Sequence, residues 1–199
     1  MIKKQEKKMT EVFVKKTHFT YLEIEKLFQL YRDHAEDLDS MDRNTFREFL
    51  HDVFNMTDDI LMDRIFKYFD TVNDGNITRE EWIMGLNIFL KGTVDEQIQY
   101  CFSIYDLNAD GYISREEMLT MLKTCLVRQG LEEDGDEGVK DLIEMTLKKM
   151  DDDKDGKVSF ADFETTVKNE PLMLEAFGPC LPTNKFGDKF IDGFLEQKD

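Results

Sequence analysis

The 199-residue sequence holds only three cysteines, three histidines, three prolines and one tryptophan, and these scarcities exclude whole classes of protein. Cys101, Cys125 and Cys180 are odd in number, widely spaced and without a C-x-x-C pair, which suits free thiols in a reducing compartment rather than a disulfide framework. Cys101 and Cys125 fall on apolar helical faces and are expected in the core. His18, His34 and His51 are scattered and no nucleophile-base motif accompanies them, so an enzyme is the weakest functional class. No apolar run reaches membrane-spanning length, and the Lys-rich start lacks the apolar region of a signal peptide. Ile2 stands where N-myristoylation requires glycine. Together these absences predict a soluble, intracellular protein. Basic charge is short as well. Asp plus Glu number 43 against 26 Lys plus Arg, and a net charge of −17 repels nucleic acid and anionic lipid.

What is present is apolar bulk and ordered acid. A 41% hydrophobic content with 16 Phe can build real cores for one or two compact units. The basic residues gather at the start, where residues 1–16 carry six Lys against two Glu. That segment reads as a basic N-terminal helix with a solvated face; a docking arm is the alternative.

The acids organise the rest. Asp106-Leu-Asn-Ala-Asp-Gly-Tyr-Ile-Ser-Arg-Glu-Glu117 places oxygen-bearing residues at the offsets a hard cation needs in a twelve-residue loop. Asp106, Asn108 and Asp110 supply positions 1, 3 and 5. Gly111 permits the sharp turn at 6, and Tyr112 contributes its backbone carbonyl at 7. Ser114 can hold a water at 9, Glu117 can close the site with two oxygens at 12, and Ile113 can bridge to a partner loop. An acidic turn without a metal would not need all of these in register.

The same loop recurs from Asp70 to Glu81 and from Asp151 to Asp162. In the first copy Asp70, Asp74 and Glu81 fall in place and Asn76 offers its carbonyl, but Val72 occupies position 3, where an oxygen is expected. Weaker binding than at Asp106 follows. In the last copy Asp151, Asp153 and Asp155 supply positions 1, 3 and 5, Lys157 its carbonyl, Ser159 position 9, and Asp162 the closing acid. Asp is one methylene shorter than Glu, so magnesium can compete with calcium there. A degenerate fourth hand precedes these. Residues 32–45 have no turn glycine and no closing acid, so no metal is expected, yet Met41 and Phe46 stand where Ile113 and Met118 stand in the loop at Asp106. Its role would be to pair with the loop at Asp70.

Apolar stripes at helical spacing flank each loop. Leu22, Leu27, Leu30 and Tyr31 form the first, Leu61, Ile65, Phe66 and Phe69 another, with Thr57 as the cap of their helix. Thr93-Val-Asp-Glu96 is a capping box, and Gly92 marks a joint. Val94, Ile98, Cys101, Phe102 and Tyr105 then lead into the loop at Asp106, while Met118, Leu119, Leu122, Cys125 and Leu126 leave it. An acidic insertion at 128–138 reads as a mobile loop, before Val139, Leu142, Ile143, Thr146, Leu147 and Met150 repeat the stripe. Beyond Lys168, Pro171 suits the start of a short helix with Leu172, Leu174 and Phe177. Phe186, Phe190, Ile191, Phe194 and Leu195 form a last amphipathic stretch, weakened by Gly187 and Gly193, and expected to pack on the second lobe.

The fold class is therefore all-α: a basic helix (1–16), an N-terminal EF-hand lobe (17–92), a C-terminal EF-hand lobe (93–168) and a helical tail (169–199). Four hands with the first disabled, and a short joint over Lys91-Gly-Thr-Val-Asp-Glu96, resemble the neuronal calcium sensor and calcineurin B branch. Three stretches, 56–66, 136–150 and Leu174-Glu-Ala-Phe-Gly-Pro-Cys-Leu-Pro182, are similar to the calaxin family within it. That resemblance implies a cytoplasmic place in the axoneme of cilia and flagella, a dynein heavy chain and tubulin as partners, and calcium-dependent control of motility. The residues themselves imply a sensor whose Met- and Phe-rich groove accepts an amphipathic target helix. A regulatory chain held permanently on an enzyme and a calcium buffer stay open as alternatives.

Overall fold

The computed structural model describes residues 2–35, 40–127 and 135–195. In chain order the elements are α1 (Ile2–Lys16), α2 (Tyr21–His34), β1 (Met41–Asp42), α3 (Arg43–Phe54), α4 (Asp59–Phe69), β2 (Asn76–Ile77), α5 (Arg79–Lys91) and α6 (Val94–Tyr105). There follow β3 (Tyr112–Ile113), α7 (Arg115–Val127), α8 (Gly135–Met150), β4 (Val158–Ser159), α9 (Phe160–Asn169), a 3₁₀ turn (Pro171–Glu175), α10 (Asn184–Phe190) and a π turn (Ile191–Leu195). Contacts divide the chain into one compact unit of residues 1–57, 66–93 and 182–199 and another of 58–65 and 94–181. The protein is mostly helical, and its strands are two-residue bridges between loops.

Helix starts are set by local chemistry. Thr20 and Thr78 each open a capping box closed by Glu23 and Glu81, and Asp42 caps α3 through the Thr45 amide; each such cap is worth about 1 kcal/mol. For α4 the cap is Asp58, which accepts from the Leu61 amide, and not Thr57, because the helix begins one residue later than the sequence pattern suggests.

In the first unit the degenerate hand pairs with its neighbour as expected: Met41 faces Ile77 and Asp42 faces Asn76 in an antiparallel bridge. Tyr31 donates its hydroxyl to the Ile77 carbonyl at 2.7 Å, and the fully buried Trp82 donates its indole N–H to Leu27 at 3.1 Å. Around Trp82 lies a ring-on-ring core of Phe46, Phe49, Phe54, Phe69 and Phe89. Gly85 is part of that packing, since a Cβ there would meet the Phe69 ring at 2.4 Å. Leu22 is not in this core. It is 44% exposed because it shares a face with Lys26 and Gln29, while Ile24, Leu27, Phe28 and Tyr31 turn inward.

The tail divides between the units, against the expectation that its last helix lies on the second lobe. Phe190 on α10 is buried in the first unit, with ring centroids 5.3 Å from Phe54 and 6.5 Å from Phe49, and Lys26 donates to the Phe194 carbonyl. Gly187 lies against Pro182 within α10 and Gly193 lies within the π turn, so the segment stays helical through both glycines.

The second unit buries Ile98, Cys101, Phe102, Tyr105, Met118, Leu122, Val139, Ile143, Leu147 and Met150 much as the periodicity predicts. Val94, the first residue of α6, is 59% exposed because the helix has not yet met its neighbours there. The earlier part of the tail closes this core. Tyr105 donates to the Gly178 carbonyl at 2.6 Å, Tyr100 to the Cys180 carbonyl at 2.9 Å, and Phe177 is fully buried against Tyr105. Cys101 and Cys180 are free thiols with sulfurs 3.2 Å apart, and burial pushes the Cys101 thiol well above its ordinary pKa. The Cys125 side chain and residues 128–134 of the acidic insertion lie outside the described residues, whereas 135–138 form the first turn of α8.

Candidate metal-binding loops

Each loop inherits one backbone path from its sequence. Position 4 is left-handed in all three, at Asn73 (φ 56°), Ala109 (φ 58°) and Lys154 (φ 62°), and so is position 6, at Gly75, Gly111 and Gly156 (φ 85–87°). Only glycine takes the second of these without strain, which explains why position 6 is glycine in all three loops. The path turns the amides of positions 5 and 6 onto the first carboxylate. Asp70 accepts from Asp74 and Gly75, Asp106 from Asp110 and Gly111, and Asp151 from Asp155 and Gly156, all at 2.8–3.1 Å. A side-chain oxygen at position 3 exists in two loops, where Asn108 and Asp153 accept from the amides of Asp110 and Asp155. Val72 offers none, and its side chain is 67% exposed.

The closing acid separates the loops more sharply. Glu117 accepts from the Ser114 amide and hydroxyl with one oxygen, and from the Leu107 and Asn108 amides at 2.8 and 3.2 Å with the other. One carboxylate thus caps α7 and also reaches the entrance of the loop. Glu81 does the same for Thr78 and for the amides of Thr71 and Val72. Burial opposes its charge, but the Thr78 amide, the Thr71 and Thr78 hydroxyls and the Val72 amide outweigh that and hold its pKa below the ordinary value. Asp162 caps α9 through the Ser159 amide and hydroxyl with a single oxygen, and among the described residues its carboxylate accepts from no amide at the loop entrance. The missing methylene therefore shows as a missing link across the loop.

All three donor sets consist of oxygen, which fits a hard cation. Asp151, Asp153 and Asp155 each bring one carboxylate oxygen within 4.8 Å of the others. The Asp155 amide lowers the Asp153 pKa, but desolvation and the charges and hydrogen bonds of Asp155, Asp151 and Asp162 raise it more. The carbonyls of Asn76, Tyr112 and Lys157 sit in or beside the bridging strands, with Tyr112 opposite Ser159 and Ile113 opposite Val158. Lys157 also lies over the Tyr112 ring at 5.2 Å. Thr71 is a participant that the ligand pattern does not include. Its hydroxyl donates to Glu81 at 2.8 Å, competing for an oxygen the loop already needs, and a hydroxyl at position 2 is the signal in the sequence that points to it.

Asp162→Glu restores the missing reach. The variant is expected to raise calcium affinity at the Asp151 loop about tenfold, the worth of one charge-assisted hydrogen bond, and to weaken magnesium competition. Calcium titrations with and without magnesium measure both effects.

Comparison with known proteins agrees with this geometry. Models of the EF-hand domain pair match residues 39–84 and 95–168. Calaxin from Homo sapiens is 50% identical over 192 residues, covering 93% of this chain and 91% of that protein. Calaxin from Xenopus laevis is 55% identical over 174 residues, 84% of each. Calcineurin B from Naegleria gruberi is 30% identical over 167 residues, 81% of this chain and 88% of its own length. Half-identity along nearly the full length, over loops whose first carboxylates are held by their own amides, leaves one assignment: the chain belongs to the calaxin family of non-enzymatic EF-hand calcium sensors.

Proposed function

We propose that this chain senses calcium through the loops at Asp70, Asp106 and Asp151, opens a hydrophobic groove and thereby regulates axonemal outer-arm dynein in cilia and flagella. The observation that carries the sensing step is the double duty of Glu117, which joins the first turn of α7 to the entrance of its loop. Calcium supplies a divalent charge that takes six to eight oxygens. Asp106, Asn108, Asp110 and the Tyr112 carbonyl provide them on one side, and Glu117 brings α7 with it from the other. Movement of α7 would uncover Met118, Met121 and Leu122, which are buried, for an amphipathic target helix. Magnesium is the competitor at the Asp151 loop. Dynein heavy chain and tubulin are the partners that membership of the calaxin family suggests.

The match to calcineurin B supports a second reading, a regulatory chain permanently bound to an enzyme, with structural calcium. A calorimetric calcium titration at physiological magnesium, with an apolar-surface probe followed in parallel, separates the two. Two or three sites in the ~10⁻⁷–10⁻⁵ M range with rising probe binding support the switch. Saturated sites without exposed surface favour the permanent complex or a buffer.

A further inference from the structure

Three helices of this fold run into a metal loop, and they differ in how their C-terminal ends are served. The last carbonyls of any helix lack intrahelical partners and carry the negative end of its dipole, so a nearby cation is favourable. Helix α4 has Lys67 in its last turn and α8 has Lys148 and Lys149, but α6, which enters the loop at Asp106, has no basic residue there.

Arg64 supplies it from another helix. Its Nε donates to the Ile104 carbonyl at 3.0 Å and its Nη1 to Leu107 at 3.1 Å, while Nη2 donates to Ser103 at 2.8 Å and to Asp106 at 2.6 Å. Two of these carbonyls end α6, and two belong to the first two residues of the loop. All three guanidinium nitrogens are engaged, and the group is half-buried. Burial lowers its pKa, and the fields of Asp106 and Glu117 oppose that fall. Glu117 grips the same two peptide groups from the other side, through the Leu107 and Asn108 amides. The entrance is thus held by its carbonyls on one side and by its amides on the other. Arg64 packs with the second unit although it lies on the helix that leads to Asp70, so it falls outside the EF-hand pair matched over 95–168.

We propose that Arg64 is a positioning residue for the calcium site at Asp106, fixing the loop entrance so that Asp106 and Glu117 stand in binding geometry before the ion arrives. The inference rests on the sensor reading above. Arginine is needed for its planar fork, which spans several carbonyls at once; a lysine ammonium keeps the charge but cannot span them. If Arg64 acted only through its charge, its loss would remove a cation near a cation site and binding would tighten. If it acts by position, its loss speeds release.

The test uses the full chain with the loops at Asp70 and Asp151 silenced by Glu81→Gln and Asp151→Asn, and follows calcium release into a fluorescent chelator by stopped flow. Arg64→Lys and Arg64→Met are both expected to release calcium about tenfold faster, a factor corresponding to one well-placed charge-assisted hydrogen bond. In the calcium-free protein, amide hydrogen exchange at Leu107 and Asn108 is expected to quicken in Arg64→Lys. The reciprocal background, with only the Asp151 loop intact, should keep its release rate. Wild-type release from Arg64→Lys, slower release from Arg64→Met, or equal acceleration at the Asp151 loop would each overturn the proposal. If Arg64→Met does not fold, Arg64→Lys decides. If the unsubstituted Asp106 loop takes no calcium, the sensor reading falls, and the exchange measurement still reports whether Arg64 holds the entrance.

Discussion

Glu117→Gln is expected to lower calcium affinity at the Asp106 loop about 100-fold, and to do so while leaving the number of side-chain heavy atoms unchanged. The carboxylate accepts from four groups, the amides of Leu107, Asn108 and Ser114 and the Ser114 hydroxyl. An amide side chain has one oxygen where the carboxylate has two, so its NH₂ must face amide donors on one side of the loop. Hydrogen bonds to a charged acceptor contribute about 1.5–3 kcal/mol each, and a 100-fold loss corresponds to ~2.7 kcal/mol. The change also removes one full negative charge from the ion's coordination shell. Calorimetry on the full chain should show the loss of one site, and the apolar-probe response should fall with it. Glu81→Gln should have a smaller effect on total binding, because Val72 already leaves its loop one oxygen short. A Glu117→Gln protein with an unchanged calcium isotherm would mean that the Asp106–Glu117 loop is not a metal site at all.

The loops are readable because their information is local. Twelve consecutive residues carry the ligands, the glycine and the bridging residue, and the left-handed backbone at Ala109 and Lys154 follows from that register whatever those side chains are. The pairing of Met41 with Ile77 is also readable, since a degenerate hand without turn glycine or closing acid still keeps its apolar bridging residue. Long-range choices are not. Periodicity places Leu22 with the core, but a stripe two residues wide near a helix start can lie on either side of the true face. The contact between Cys101 and Cys180 spans 79 residues and leaves no pattern in either segment. Arg64 escapes for another reason. Its partners are main-chain carbonyls, which every residue possesses, so nothing in the side chains of 103–107 announces it.

The placement of the tail has the largest consequence of these long-range choices. Phe190 is 7% exposed and meets Phe49 and Phe54, with Phe194 stacked on it at 5.3 Å. Phe49 and Phe54 belong to α3, so the tail covers an apolar face of the first unit. A buried Phe truncated to Ala costs about 3–5 kcal/mol. Most of that cost should fall on seating of α10, because Phe46, Phe69 and Phe89 pack on Trp82 and on one another without Phe190. Phe190→Ala is therefore expected to release the tail, raise apolar-probe binding several-fold in calcium-free protein, and leave the helical circular dichroism signal largely intact. A chain ending at Thr183 should behave alike. A site blocked for all but a fraction of the time binds its ligand more weakly by that fraction, so both variants should bind a model amphipathic helix more tightly than the full chain. Unchanged affinity together with unchanged probe binding would show that the rings of Phe49 and Phe54 stay covered without the tail, and that targets are met on another face.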